Sequence, residues 1–185
     1  MRILAVADQQ PHLPLQALVE THDPDVVVTL GDLEPDWLDS LKRYEVPVLG
    51  VYGNHDDGHY LEAGNTTDMH LRSVTLDGLT FTGFEGCVRY KRGAPLQYDQ
   101  REARRLAKRL PPADVLLAHS PPRGVHDEPG DRAHEGFDGL AAYIERHAPR
   151  LVLHGHTPPP PRGTTRLGAT TVVHVVGARL LTLPE

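Results

Sequence analysis

The motif Gly53-Asn54-His55-Asp56 follows directly on the apolar run Val46-Pro47-Val48-Leu49-Gly50-Val51-Tyr52. A β-branched run that breaks at glycine and then offers an amide, an imidazole and a carboxylate is typical of a strand that ends in a functional site. In open α/β sheets, ligands bind just beyond the carboxyl ends of the strands. The stretch therefore predicts a buried strand over residues 46–52, followed by groups that form a site.

Four other stretches have the same form, an apolar run followed by side chains that can bind a metal. The runs cover residues 3–7, 26–30, 115–118 and 151–153, and the polar groups after them are Asp8, Gly31-Asp32, His119 and His154-Gly155-His156. A single stretch of this kind would indicate little, because Asp often caps a helix and His often packs in a core. Five of them in one chain favour a metal site built at strand ends.

The composition is that of a globular protein. The chain has 185 residues, 39% of them hydrophobic and 24% charged, so we predict one domain over residues 1–185. The single Cys87 cannot form an internal disulfide, and the N-terminal apolar run is too short for a signal peptide or a membrane span. We therefore expect a cytoplasmic protein without a membrane partner.

A net charge of −6 argues against an extended nucleic-acid surface, which needs a basic face.

The order of the predicted elements indicates an α/β fold. Strands over residues 2–7, 25–30 and 46–52 alternate with two helical patterns, which predicts parallel pairing with right-handed crossovers. Asp77-Gly78 between two β-rich runs predicts a hairpin over residues 71–84. The remaining predictions are helices over 99–110 and 137–147, strands over 113–118 and 151–153, closing strands over 170–176 and 179–183 that turn at Gly177, and loops over 57–69 and 85–98.

Asp8 and Asp32 would end neighbouring parallel strands, close enough to share a cation. Two carboxylates placed there would repel each other and lose hydration, and neither motif contains an Arg or Lys to pair with them. Asn54 adds an amide oxygen, while His119 and His156 add imidazole nitrogens. This mixed set of donors favours Mn, Fe or Zn over Mg or Ca.

In order and setting, the stretches Asp8, Gly31-Asp32, Gly53-Asn54-His55-Asp56, His119 and Gly155-His156 resemble the pattern of the calcineurin-like metallophosphoesterase family. The resemblance covers nearly the whole chain. It implies a two-sheet β-sandwich flanked by α-helices, with four layers in the order αββα, and a dinuclear metal site at one sheet edge. It also implies that Asp32 bridges two metals and that Asp8 binds the first. The ligands of the second metal would be Asn54, His119 and His156.

Two departures from the family pattern fall on the first metal. The pattern reads D-x-H and G-H-x-H, whereas this chain has Gln10 and Pro158 where the last histidine of each would stand. We therefore expect one tightly held ion at the second site and a weak or partly occupied first site, to which Gln10 could lend an amide oxygen. The alternative is that His12, His126 or His134, from outside the pattern, completes the first site.

The resemblance implies a hydrolase that cleaves a phosphomonoester or phosphodiester in a small phosphorylated substrate, by attack of a metal-activated hydroxide. By family analogy His55, oriented by Asp56, would stabilise the developing charge or protonate the leaving oxygen. Candidate substrate-binding residues lie in two loops: Arg89 and Tyr90 in one, His126 and His134 in the other.

The alternative function is a catalytically weak or inactive metal-binding scaffold that acts through protein–protein contacts. The lost first-site ligands favour the scaffold, whereas the retained His55 and Asp56 favour the enzyme, because a scaffold has no need of a leaving-group acid. The sequence leaves homo-oligomerisation open.

Overall fold

Two large β-sheets face each other, and helices cover the outer face of each. The structure, a computed structural model, describes residues 1–160 and 162–184. The first sheet contains Arg2–Ala7 (β1), Val26–Thr29 (β2), Val48–Gly50 (β3), Thr67–Asp68 (β4) and Gly177–Thr182 (β13), in the spatial order β13-β1-β2-β3-β4.

The second sheet has six strands. They are Ser73–Leu76 (β5), Leu79–Phe84 (β6), Val115–Ala118 (β9), Leu151–His154 (β10), Thr164–Leu167 (β11) and Thr170–His174 (β12), in the order β11-β12-β10-β9-β6-β5. A separate ladder joins Cys87–Val88 (β7) to Gln97–Tyr98 (β8). The helices are Leu15–His22 (α1), Pro35–Asp39 (α2), Gln100–Ala107 (α3) and Asp138–His147 (α4), with 3-10 turns over Ser40–Arg43 and Tyr60–Asn65. Among the described residues, no helix has the length and apolar character needed to cross a membrane.

Strand β1 shows why the central strands are largely apolar on both faces. Successive side chains of a strand point to opposite faces. Ile3, Ala5 and Ala7 therefore enter the core between the two sheets, whereas Leu4 and Val6 pack in the layer formed with α1 and α2. The second sheet likewise packs its outer face against α3 and α4. The layers are thus αββα, which confirms the predicted fold class.

Parallel pairing gathers the strand ends that carry the site. Strands β1, β2 and β3 run parallel in the first sheet, and β6, β9, β10 and β12 run parallel in the second. The predicted β-α-β-α-β start and the hairpin at Asp77-Gly78 are confirmed, with Leu76 opposite Leu79. The carboxyl ends of these parallel strands therefore lie at one edge of each sheet.

The end of the chain differs from the sequence prediction. The closing strands belong to different sheets, since β12 pairs with β10 and β13 pairs antiparallel with β1. Gly177, with a φ of 67°, is the first residue of β13 and redirects the chain from one sheet to the other. Strand β11 was not predicted, because Thr164–Leu167 contains one apolar residue. Strands β4, β7 and β8 have two residues each, too few for a detectable alternation.

Replacing Leu153 by Ala should lower the free energy of unfolding by about 2–5 kcal/mol, the usual effect of removing a large aliphatic side chain from a core. Leu153 is fully buried between the two sheets. Leu180→Ala is the matched control, because Leu180 is 40% exposed, and it should cost about 0.5 kcal/mol or less. Urea unfolding followed by circular dichroism measures both, and equal losses would contradict a core between the sheets.

Candidate functional site

Polar side chains from five strand ends meet where the carboxyl edges of the two sheets face each other. The first sheet supplies Asp8, Asp32 and Asn54, which follow β1, β2 and β3. The second supplies His119 after β9 and His156 after β10. A direct contact joins the two sheets here, since the His156 backbone N–H donates to Asp8 Oδ2 at 2.9 Å.

Glycines in three of these loops allow the close approach. Gly31 has a φ of 96°, and a Cβ there would lie 2.3 Å from the backbone nitrogen of Gly53. A Cβ at Gly53 would lie 2.1 Å from Asp32 Oδ1, and one at Gly155 would lie 2.4 Å from Asp8 Oδ2. No other residue type fits, because the neighbouring backbone and carboxylates occupy the space of the side chain.

His119 directs an unprotonated nitrogen at Asn54 and Asp32. Its Nδ1 lies 2.7 Å from the carbonyl oxygen of Leu30, which can only accept, so Nδ1 carries a proton and donates. The other nitrogen, Nε2, lies 3.0 Å from Asn54 Oδ1 and 3.5 Å from Asp32 Oδ2. Burial lowers the pKa of His119 to about 4, so Nε2 bears a lone pair near neutral pH.

Three acceptor atoms therefore converge, namely His119 Nε2, Asn54 Oδ1 and Asp32 Oδ2. Asn54 Nδ2 donates to Tyr90 Oη at 3.3 Å, which turns the amide oxygen toward His119. Acceptor atoms held together in a buried site repel one another unless a cation joins them. Adjacent ligands of an ion with bonds of about 2.1 Å lie roughly 3.0–3.5 Å apart, which is the spacing of these atoms. The residues present therefore fit a divalent metal.

His156 extends this donor set from the second sheet. Its Nε2 donates to the Ala133 carbonyl oxygen at 2.6 Å, which leaves the lone pair on Nδ1. Burial lowers the pKa of His156 to about 3, so the imidazole is neutral near pH 7. Asp32, His119 and His156 each offer one ligand atom, and these atoms lie within 4.8 Å of one another.

Asp8 and Asp32 concentrate carboxyl groups in the same buried space. Burial raises the pKa of Asp8 to about 7, and the charges of Asp32 and Asp56 add to that shift. Burial also raises the pKa of Asp32. A cation between them would favour the ionised forms and oppose these shifts, so the carboxylate pair also fits a metal site.

The first metal would find fewer donors than the second. Gln10 is exposed, and Gln9, not Gln10, borders the cleft beside Asp8. Pro158 borders the same cleft and has no donor atom in its side chain. His12 is exposed on the loop before α1. The predicted replacement of the missing imidazole by Gln10 thus has no contact to support it.

Asp56 binds backbone groups and not the imidazole of His55. Its carboxylate accepts the N–H groups of Gly53 at 2.5 Å, Asp32 at 3.0 Å and Leu33 at 3.2 Å. The described hydrogen bonds therefore give Asp56 the role of fastening the loop after β2 to the loop after β3, where we expected it to orient His55. His55 is exposed at the cleft, and its backbone N–H donates to Asp32 Oδ1 at 2.8 Å.

Two of the four candidate substrate-binding residues border the cleft. Tyr90 does so through the hydroxyl that contacts Asn54. His134 lies beside His156, with 5.5 Å between the ring centroids, and its Nδ1 is 2.7 Å from Asp131 Oδ2. Both can therefore contact a group bound next to the donor set.

The other two candidates turn away from the cleft. The Arg89 guanidinium donates to the Gln97 carbonyl oxygen at 2.8 and 3.1 Å and to Glu102 at 2.9 Å. It is thereby engaged in holding β8 and α3. His126 contacts His154 and Thr165, each at 2.9 Å. Neither residue is placed to touch a substrate in the cleft.

Two adjoining clefts open onto the donor atoms, and Asp8, Asp32 and His55 border both. One, of about 260 Å³, has an apolar wall of Pro158, Pro159 and Val176. The other, of about 360 Å³, has an acidic rim that includes Glu34 and Asp57. Together they leave room for a phosphate group with small substituents beside the donors.

Sequence reasoning missed the groups that decide which imidazole nitrogen is available. The carbonyl oxygens of Leu30 and Ala133 fix the protons of His119 and His156. No side-chain pattern can reveal a backbone carbonyl that becomes a neighbour only after folding. Gln9 was also missed, because the family pattern directs attention to the next residue.

Solved structures share this architecture. The chain is similar to the crystal structure of TT1561 from Thermus thermophilus, with a TM-score of 0.67 and 21% identity, over 95% of this chain and 89% of that one. Phosphopantetheinyl hydrolase from Mycobacterium tuberculosis gives 0.63 at 15% identity, over 95% and 89% of the two chains. A novel archaeal phosphodiesterase gives 0.52 at 15% identity, over 96% and 84%. No curated protein matches the chain significantly.

The sequence itself matches a family profile over most of its length. The profile is that of the calcineurin-like phosphoesterase superfamily domain, and it covers residues 1–175. That range includes every strand end that supplies a donor, from Asp8 to His156. The chain therefore belongs to the calcineurin-like phosphoesterase superfamily.

Proposed function

We propose that this protein is a metal-dependent phosphoesterase that hydrolyses a phosphomonoester or a phosphodiester in a small substrate. One observation carries the proposal: acceptor atoms of Asp32, Asn54 and His119 converge, with His119 Nε2 at 3.0 Å from Asn54 Oδ1 and 3.5 Å from Asp32 Oδ2. Membership of a phosphoesterase superfamily supports the same chemistry. Two of the similar solved structures bear the names of a phosphodiesterase and a phosphopantetheinyl hydrolase, which is consistent with this class of reaction.

We assign the tightly held ion to Asp32, Asn54, His119 and His156. One carboxylate, one amide oxygen and two neutral imidazoles make a donor set that suits Mn, Fe or Zn. Asp8, with Asp32 as a bridge, would hold a second ion more weakly, because that side lacks both imidazoles of the family pattern.

When bound, the ions supply an activated water and neutralise charge on the phosphoryl oxygens. Neighbouring residues of the chain orient the side chains that would bind the ions. Tyr90 fixes the amide of Asn54, and the carbonyl oxygen of Leu30 fixes the imidazole of His119. We assign to His55, which borders both clefts, the role of protonating the leaving oxygen or stabilising its charge.

A metal-binding scaffold is the second candidate function, because the first site has lost two ligands of the family pattern. The two functions differ in turnover. Metal-free protein would be assayed with p-nitrophenyl phosphate and with bis(p-nitrophenyl) phosphate, before and after addition of Mn. Turnover that appears with Mn and disappears with a chelator supports the enzyme, whereas metal binding without turnover of any ester supports the scaffold.

His119→Ala should remove the tightly held ion and lower turnover by at least about 100-fold, while the fold survives. Even residues that only orient a ligand change metal affinity about 10–100-fold, and His119 would be a ligand itself. Metal analysis, turnover and circular dichroism measure the three effects. His22→Ala, at the end of α1, is the control and should change none of them. Full metal content and turnover in His119→Ala would contradict the assignment.

Titration of metal-free protein with Mn should show one tight and one weaker site, and turnover should rise well beyond one equivalent of Mn. Because Gln9 borders the cleft, Gln9→His should flatten this dependence by strengthening the first site about tenfold or more. Gln10→His, which restores the family pattern at an exposed position, is the matched comparison and should have a smaller effect. Two tight sites of similar affinity in the unmodified protein would contradict a weak first site.

A further inference from the structure

Three histidines outside the metal-ligand pattern form a cluster behind the loop that carries His156. The centroids of His126 and His154 are 5.2 Å apart, those of His154 and His174 are 5.3 Å apart, and those of His126 and His174 are 6.5 Å apart. His154 is fully buried and His174 is 5% exposed. None of the three is accounted for by the donor set of the candidate metal site.

Two of these imidazoles hold the backbone on either side of His156. His154 Nδ1 donates to the carbonyl oxygen of Gly155 at 3.0 Å, and His174 Nε2 donates to that of Thr157 at 2.9 Å. Carbonyl oxygens only accept, so both protons are located. The Gly155 oxygen accepts a second hydrogen bond, from the Thr157 N–H at 2.9 Å, which closes the turn around His156.

His126 continues the network. Its Nδ1 lies 2.9 Å from His154 Nε2, which must accept because the proton of His154 is on Nδ1. His126 therefore carries its own proton on Nδ1, and its Nε2 accepts from the Thr165 hydroxyl at 2.9 Å. Burial lowers the pKa of His126, His154 and His174 alike, which agrees with three neutral rings. Three hydrogen bonds thus run in one direction, from Thr165 through His126 and His154 to the Gly155 carbonyl oxygen.

The turn needs such support because its central residue is in a disfavoured conformation. His156 has a φ of 69°, in the left-handed region that residues with a Cβ rarely adopt. In this conformation its N–H reaches Asp8 Oδ2 at 2.9 Å and its Nε2 reaches the Ala133 carbonyl oxygen. Loss of either flanking carbonyl contact would let the turn relax and move the Nδ1 lone pair away from Asp32 and His119.

We propose that His126, His154 and His174 are positioning residues that lock the turn over residues 155–157, so that His156 presents its imidazole to the metal. The inference rests on the proposed function only in taking His156 as a metal ligand. The cluster acts through the two flanking carbonyl groups, and it touches neither the substrate nor the ion.

The test is calorimetric titration of metal-free protein with Mn. His174→Phe keeps a ring in place but removes the donor, and it should raise the dissociation constant of the tight site roughly 10–100-fold. His174→Gln can again donate an N–H to Thr157 and should restore most of the affinity. Thr165→Val, three hydrogen bonds from the Gly155 carbonyl group, should have a smaller effect in the same direction.

His70→Phe is the matched control for burial. The His70 side chain is 16% exposed, and its Nδ1 accepts from the Glu85 N–H at 3.1 Å, outside the turn. A merely structural role for the cluster would give His70→Phe and His174→Phe similar losses of stability and unchanged Mn affinity. The proposed role requires that His174→Phe lose affinity for Mn and that His70→Phe keep it. If His174→Phe does not fold, His126→Phe and Thr165→Val decide by the same measurement.

The possible outcomes separate this inference from the function on which it rests. If His119→Ala keeps its metal, the proposed metal site is wrong. If His119→Ala loses its metal while His174→Phe, His126→Phe and Thr165→Val bind Mn as tightly as the unmodified protein, only the positioning role is wrong. If the cluster variants lose a separate equivalent of metal, the three histidines are ligands themselves, which also overturns the positioning role.

Discussion

The site depends on acceptor atoms that are held close together where the edges of the two sheets meet. His119 has one donor and one acceptor nitrogen, and the Leu30 carbonyl group takes the donor. The other nitrogen, Nε2, lies 3.0 Å from Asn54 Oδ1 and 3.5 Å from Asp32 Oδ2. His119 is fully buried, so bulk water does not reach it. A fold that collects acceptors in this way is stable only if something positive joins them, or if the rest of the sandwich is strong enough to hold them.

The architecture supplies that strength through the apolar layers on both sides of the two sheets. Both faces of each large sheet are covered, so the central strands β1, β2, β9 and β10 are buried over nearly their whole length. Three of the residues that have a positive φ without being glycine lie at the strand ends of the site: Asp8, Asp32 and His156. Such conformations persist where surrounding contacts determine them, and they mark functional sites more often than ordinary loops.

The sequence was sufficient for the fold class because the central strands are largely apolar and end in motifs that carry the family resemblance. Asp8, Asp32 and Asn54 could be placed at one edge from the parallel pairing of the first three strands, and the resemblance added His119 and His156. Asp56 could not be interpreted correctly, because its partners are backbone N–H groups of two loops that meet only in the folded chain. The same holds for Arg89, whose charge suggested a substrate but is engaged by Glu102 and the Gln97 carbonyl oxygen. Side-chain type reveals which chemistry is available, but not which neighbour uses it.

The donor atoms come from both halves of the sandwich, Asp32 and Asn54 from one sheet and His119 and His156 from the other. An ion held by all four residues would therefore link the two sheets. Any fluctuation that parts the two edges would release it, so binding and opening would be thermodynamically linked. At a free metal concentration of about 100 times the dissociation constant, such linkage would add about 2.7 kcal/mol to the stability of the closed edge. Scarcity of metal would then loosen the fold at this edge first.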